Sequence, residues 1–185
     1  MQNNSRNLRA SCLLGFLLLL VAASRGMRLP RENKPSWQDC KDASQEILSE
    51  LWKLRLEKEK EVNASVPLPQ RIECRDKCDP DSLDNNKMGC LGKIHQGLHH
   101  YHKLLVHLFP PESKTELKKT LYKLLQLVSK LQVGGNMESS SPDLPPISTE
   151  WEMQALQDPI LLRLQSFAVV VARVISHCAA QSEAA

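Results

Sequence analysis

Aromatic side chains are scarce in this 185-residue chain, with three Phe, three Trp and two Tyr, and glycine is as scarce at seven. A β-rich domain draws on aromatic and β-branched residues for its strands and on glycine for its turns, so this shortage argues against sheet. An excess of charge of one sign is also missing. The formal charge is only +3, and basic residues alternate with acidic ones, as from Lys53 to Glu61. No basic stripe exists to track a phosphate backbone, which excludes nucleic acid as a partner. No glycine-rich phosphate loop, nucleophile elbow or HExxH pair occurs, so the chain is not read as an enzyme and no cofactor is expected. Beyond the N-terminal region, no segment reads as both long and apolar enough to cross a bilayer, and membrane insertion is not expected.

What is present begins with Arg6 and Arg9, followed by an unbroken apolar run from Cys12 to Ala23 and the small residues Ala22, Ser24 and Gly26. That order marks a secretory signal peptide over 1–26 and a secreted, extracellular mature chain over 27–185. The remainder is the size of one domain with its own core.

Leu, Glu, Lys and Gln dominate the rest and favour helix. Four segments carry apolar residues at alternating spacings of three and four, the repeat that turns one helical face to a core. The first spans about Ser36 to Lys60, with Ser36 as N-cap. The second spans about Asn86 to Leu108 and is stopped by Pro110 and Pro111. The third starts at Ser113, where Ser113 and Glu116 form a capping-box pattern, and ends before Gly134 and Gly135. The fourth starts at Asp158 as N-cap, with Pro159 at the first helical position, and runs to about Cys178. Only about five residues join the second helix to the third, which makes them antiparallel, whereas the other two connections are long enough to run the length of a helix. Long, short, long predicts an all-α, four-helix, up-up-down-down bundle with two long crossover loops, the arrangement of long-chain cytokines and growth hormones.

Removal of the signal peptide leaves Cys40, Cys74, Cys78, Cys90 and Cys178, an odd number in an oxidising compartment. In the predicted topology Cys40 and Cys178 lie at the same end of antiparallel helices and on core-facing stripes, so a Cys40–Cys178 bond is expected. Cys78 and Cys90 bracket a turn-rich stretch, and closing it would leave Cys74 free for another chain. Cys74 pairing with Cys78 or Cys90, with a different thiol left over, is equally compatible with the spacing.

The last helix is too apolar for a single buried stripe, because from Leu164 to Ala180 it holds one charged residue, Arg173. Helical spacing puts Arg173 opposite the core face, encircled by Ser166, Val169, Val170, Ser176, His177 and Ala180. A partner's backbone could approach such a surface closely while the guanidinium reached a carboxylate; the simpler alternative is that Arg173 only keeps an apolar face soluble. His95, His99 and His102 share one face of the second helix, but no Cys or carboxylate completes a tetrahedral set there, and no metal site is assigned. Asn63-Ala64-Ser65 is a glycosylation sequon in the first long loop.

Four stretches carry a resemblance: Pro35-Ser36-Trp37-Gln38-Asp39-Cys40; Ile72-Glu73-Cys74-Arg75-Asp76-Lys77-Cys78-Asp79-Pro80; Cys90-Leu91-Gly92-Lys93-Ile94-His95-Gln96-Gly97-Leu98; and Leu164-Gln165-Ser166-Phe167-Ala168-Val169 with Ala172-Arg173-Val174. Together they resemble the alpha subunits of the interleukin-6/interleukin-12 cytokine family. The resemblance implies a heterodimer with the beta subunit shared with interleukin-12, acting through specific and shared receptor chains on Janus kinases and STAT factors in immune and inflammatory responses. It also implies an interchain disulfide from Cys74, a Cys78–Cys90 bond, Arg173 in an acidic pocket of the beta subunit and Trp151 against the specific receptor chain. The chain departs from the family pattern at Cys178, where the family has a small residue, and at Pro159, which is expected to break or restart the last helix after Trp151. A free-standing helical cytokine or growth factor of the same fold is the alternative reading. An amphipathic lipid carrier suits the periodicity but not the disulfides or the short hairpin loop.

Overall fold

The computed structural model describes residues 35–54, 71–132 and 149–184. The segment 1–26 expected to be a signal peptide, the sequon at Asn63 and the glycine pair at 134–135 lie outside the described residues. Among the described residues every regular element is helical: α1 (Trp37–Trp52), a 3-10 turn (Cys74–Asp76), α2 (Pro80–Leu108), α3 (Thr115–Leu131) and α4 (Glu150–Ala184).

Helix α1 opens as its sequence dictates. Ser36 is extended, its Oγ accepts from Asp39 N at 3.1 Å, and the Asp39 carboxylate accepts from Ser36 N at 2.9 Å, a reciprocal capping box. These bonds hold the Asp39 carboxyl below its ordinary pKa. Ser36→Ala is expected to cost about 0.5–2 kcal/mol of stability, read from urea melts. The helix ends at Trp52, short of the expected Lys60; Leu54 N donates to Leu51 O at 3.1 Å in the tighter turn that closes it.

Helix α2 begins six residues before the expected Asn86, because Asp79 and Pro80 supply an extended cap and a pre-set first turn. Asn86 nevertheless marks a real break: its φ of −135° and ψ of 24° interrupt the helix, so the periodic segment does restart there. Phe109, extended before Pro110, ends it.

At α3 the anticipated Ser113–Glu116 box does not form. Lys114 takes the cap position with a left-handed backbone, and the preceding turn is held by Thr115 Oγ1 donating to Glu112 O at 3.0 Å. Lys118 reaches back to donate to Phe109 O at 3.1 Å and Pro110 O at 2.7 Å, satisfying carbonyls that α2 leaves open at its end.

Helix α4 departs most from expectation. It runs unbroken from Glu150 with Pro159 inside it. Proline there removes one backbone bond and ordinarily costs about 3 kcal/mol in a helix interior. Burial of Leu156, Ile160 and Leu161 on either side holds the helical path regardless. By length and composition α4 is also apolar enough to span a membrane, contrary to the sequence reading, but half of that stretch is buried in the bundle.

Side-chain pairs fix the helix directions. Lys87 lies over the Trp37 ring at 5.7 Å, placing the starts of α1 and α2 together. His95 meets Ser129, and His102 stacks near Tyr122, so α2 and α3 are antiparallel. Asp84 and Lys87 meet Gln181, while Gln157 donates to Leu108 O, so α2 and α4 are antiparallel too. Helix α1 packs on α3 and α4, as does α2. This is the up-up-down-down bundle, with each helix flanked by antiparallel neighbours. Its centre is closed by Ile47, Leu98, Leu121, Leu124 and Leu164, all essentially solvent-free.

The expected Cys40–Cys178 bond is not formed. Both side chains are fully buried as free thiols and serve as small apolar fillers on α1 and α4. Burial pushes the Cys40 thiol up to about 12 and raises Cys178 as well, which suppresses the thiolate that disulfide exchange requires.

Candidate interaction site

Two elements carry the residues singled out for binding: the outward face of α4 and the turn that bears Cys74. On α4, the inward stripe of Ile160, Leu164, Phe167, Val171, Val174 and Cys178 is buried. The helical repeat therefore turns Arg173 to solvent, where it is exposed and makes no ion pair or hydrogen bond among the described residues. Ser166, Val169 and Ala180 are exposed around it, and Val170, Ser176 and His177 are half-buried. Val169 is 47% exposed, which makes it one of the few large apolar side chains left in water. Short side chains flank a guanidinium whose five donors are unspent, a surface shaped for a carboxylate held by another molecule.

Trp151 sits in the first turn of the same helix and is 69% exposed. Because Pro159 does not interrupt α4, Trp151 and Arg173 are carried on one continuous rod. The entry to that rod is held by Thr149 N donating to the Glu152 carboxylate at 3.2 Å. Sequence reading missed a second tryptophan of similar exposure: Trp52, 68% exposed, closes α1. Its position just outside the apolar stripe was the available signal.

The Cys74 turn is docked with care onto α2. The Cys78–Cys90 disulfide is present and ties the chain to the helix. Asp76 is the hub. Its carboxylate accepts from Glu73 N at 2.8 Å and lies 3.8 Å from Lys93, while its carbonyl accepts from Asn86 Nδ2 at 3.2 Å. Lys77 adopts a left-handed φ of 52° to turn the chain back toward Cys78. The break in α2 at Asn86 thus has a purpose in the packing, since it aims that side chain at the turn. The Asn86 side chain also fills the space a Cβ at Gly89 would need, 2.4 Å away. Neither Asp76 nor Asn86 was picked out from sequence; their partners are ten residues apart and no local pattern links them.

This turn packs against the early part of α2, and antiparallel pairing sets that part beside the late part of α4, as the Lys87–Gln181 and Asp84–Gln181 contacts record. Cys74 and Arg173 consequently belong to the same end of the bundle. The three imidazoles on α2 face α3 and do not form a metal site; among the described residues no cluster of His, Cys, Asp or Glu is suited to hold a metal ion.

Comparison with known proteins shows the family. The family model described as interleukin 23 subunit alpha matches residues 35–179, which takes in α1, α2, α3 and all but the last five residues of α4. The interleukin-23 subunit alpha of Sus scrofa is 34% identical over 190 residues, covering 93% of this chain and 96% of that protein. The human protein of the same name is 35% identical over 183 residues, covering 89% of this chain and 94% of its own length. That of Mus musculus is 31% identical over 185 residues.

Proposed function

The chain belongs to the interleukin-23 alpha-subunit family of cytokines, a family without enzymes, and from that premise we propose that it is the secreted half of a heterodimer completed by a beta subunit of the kind shared with interleukin-12. The observation that carries the reading is Arg173: exposed, unspent and encircled by small and apolar side chains on the side of α4 opposite its buried stripe. An arginine in such a setting is a hot-spot residue for a partner that offers a carboxylate in a desolvated pocket. Val169, Val170 and His177 complete the contact surface.

Cys74 supplies the covalent link in this proposal. Its turn is fixed to α2 by a disulfide and by the Asp76 hub, toward the Arg173 end of the bundle. Trp151, held far along the same helix, contacts the specific receptor chain, leaving the partner and the receptor on separate stretches of α4. The assembled cytokine then engages its specific and shared receptor chains and signals through Janus kinases and STAT factors. Asn63, in its sequon, carries a glycan.

Co-expression with the beta subunit tests the scheme directly. The native chain should give a heterodimer that runs as one band without reductant and two with it. Cys74→Ser should abolish the covalent band while leaving the two chains co-purifying. A monomer secreted alone, active on responsive cells and indifferent to the beta subunit, would instead establish the free-standing cytokine.

A further inference from the structure

The histidines of α2 are unused by the proposed interfaces, yet they are placed with more constraint than a solvated face requires. His95, His99 and His102 repeat at four and three residues along the side of α2 that meets α3. Ser129 decides the tautomer of the first. Its single hydroxyl proton is donated to Leu125 O at 2.8 Å, so at 2.8 Å from His95 Nε2 the serine oxygen accepts, and Nε2 carries the proton. His95 Nδ1 is then a bare lone pair, and it is buried with no partner. His99 Nδ1 is buried and unpartnered as well. His102 lies 5.2 Å from the Tyr122 ring centroid.

An imidazolium carries a proton on both nitrogens. At His95 and His99 the second N–H would point into a site that offers no acceptor among the described residues, an arrangement that disfavours the charged ring. The charges facing the seam add to this. Lys103 on α2 bears on His99, Lys118 on α3 bears on His102, and the rings bear on one another; the groups acting on these rings include no carboxylate. Burial and this surplus of positive charge hold all three rings below the ordinary histidine pKa of 6.5.

We propose that the α2–α3 seam is an acid-operated latch: closed while His95 and His99 are neutral, and opened when they take up protons in an acidified compartment such as the endosome lumen. The sign follows from linkage. The opened state holds solvated imidazoles of ordinary pKa, whereas the closed state holds them depressed. The latch therefore contributes its full stability above about pH 6.5 and loses it as pH falls through the lower pKa of the closed seam. Each ring that gains a proton on opening multiplies the opening equilibrium by up to about tenfold per pH unit. Helix α3 lies diagonal to α4 and is not one of its two flanking neighbours, so opening the seam acts first on the side of the bundle away from Arg173.

Amide hydrogen exchange on the intact mature chain, corrected for intrinsic rates at each pH, tests this. Protection of α3 should fall steeply between pH 7.4 and 5.0 while α4 is less affected. In the double variant His95→Gln, His99→Gln, the amide at 95 keeps the bond to Ser129 without titrating, and the pH dependence of α3 protection should flatten. Undiminished dependence in that variant, or pH-independent protection in the native chain, overturns the latch. Nitrogen-15 NMR of the native imidazoles gives an independent reading: Nδ1 of His95 should gain its proton only over the range in which α3 loses protection. Protonation there with α3 fully protected also overturns it.

Discussion

Arg173→Ala is expected to weaken noncovalent pairing with the beta subunit about 30- to 1,000-fold, roughly 2–4 kcal/mol, with no measurable change in the melting temperature of the chain alone. The reasoning has two sides. Arg173 is exposed and pairs with no other charge among the described residues, so their packing does not depend on it. In a complex its neighbours Ser166, Val169 and Ala180 would exclude water, and truncation would strand the opposing carboxylate without its donors. Lysine should rescue only part of the loss, since a point charge cannot reproduce a planar fork. The measurement belongs on a Cys74→Ser background, where the interchain bond cannot hide a change in affinity. Equal dissociation constants for the arginine and alanine chains would remove Arg173 from the interface.

The second large effect lies in the core, where Gly97 of α2 and Phe167 of α4 meet. A Cβ on residue 97 would stand 2.5 Å from two atoms of the Phe167 ring, far inside contact distance. The ring cannot retreat easily, because it is buried and packs against Tyr101 with centroids 5.1 Å apart. Alanine is the better helix former by about 1 kcal/mol, but overpacking a tight core costs about 1–3 kcal/mol, so Gly97→Ala should destabilise on balance. Phe167→Ala should cost about 3–5 kcal/mol through lost burial and the cavity left behind. Combined, the two substitutions should cost less than the sum of their separate effects, since the alanine methyl at 97 enters the space the ring vacates. Urea unfolding of the four proteins in that cycle checks both magnitudes, and additivity would show that the two residues do not compete for one volume.

Much of this architecture can be read from the chain because periodicity and loop length are properties of the chain itself. The stripes through Ile47, Leu98, Leu121 and Leu164 name the core, and the five-residue hairpin makes α2 and α3 antiparallel before any coordinates are consulted. Ser36 works as a cap because capping is local. The failures are equally physical. Pro159 obeys a local rule against proline inside helices, and that rule yields to the burial of Leu156, Ile160 and Leu161 around it. Ser113 has the letters of a capping box, but Lys114 takes the cap in a left-handed conformation that no spacing announces. Cys40 and Cys178 were paired on topology, which brings two residues to one end of a bundle without deciding whether sulfur meets sulfur. At the candidate site, Arg173 is visible because it is the one charged residue between Leu164 and Ala180, the apolar stretch of α4. The Asp76–Asn86 contact was not, since it depends on a helix break that only tertiary packing produces.

The antiparallel pairing of α1 with α4 has a consequence for how the molecule is made. These helices come from opposite ends of the chain, yet they share one of the main packing seams of the bundle. During synthesis at about 5–20 residues per second, α1 leaves the ribosome and waits several seconds for its principal neighbour to exist. The α2–α3 hairpin, built from close sequence contacts, is able to form first and to offer α1 one of its two partners. Until the last thirty-odd residues emerge, the apolar face of α1 that holds Ile47 and Leu51 is half covered at best. A nascent chain of this design is a natural client for chaperones, and truncation within α4 should leave it as a folding intermediate.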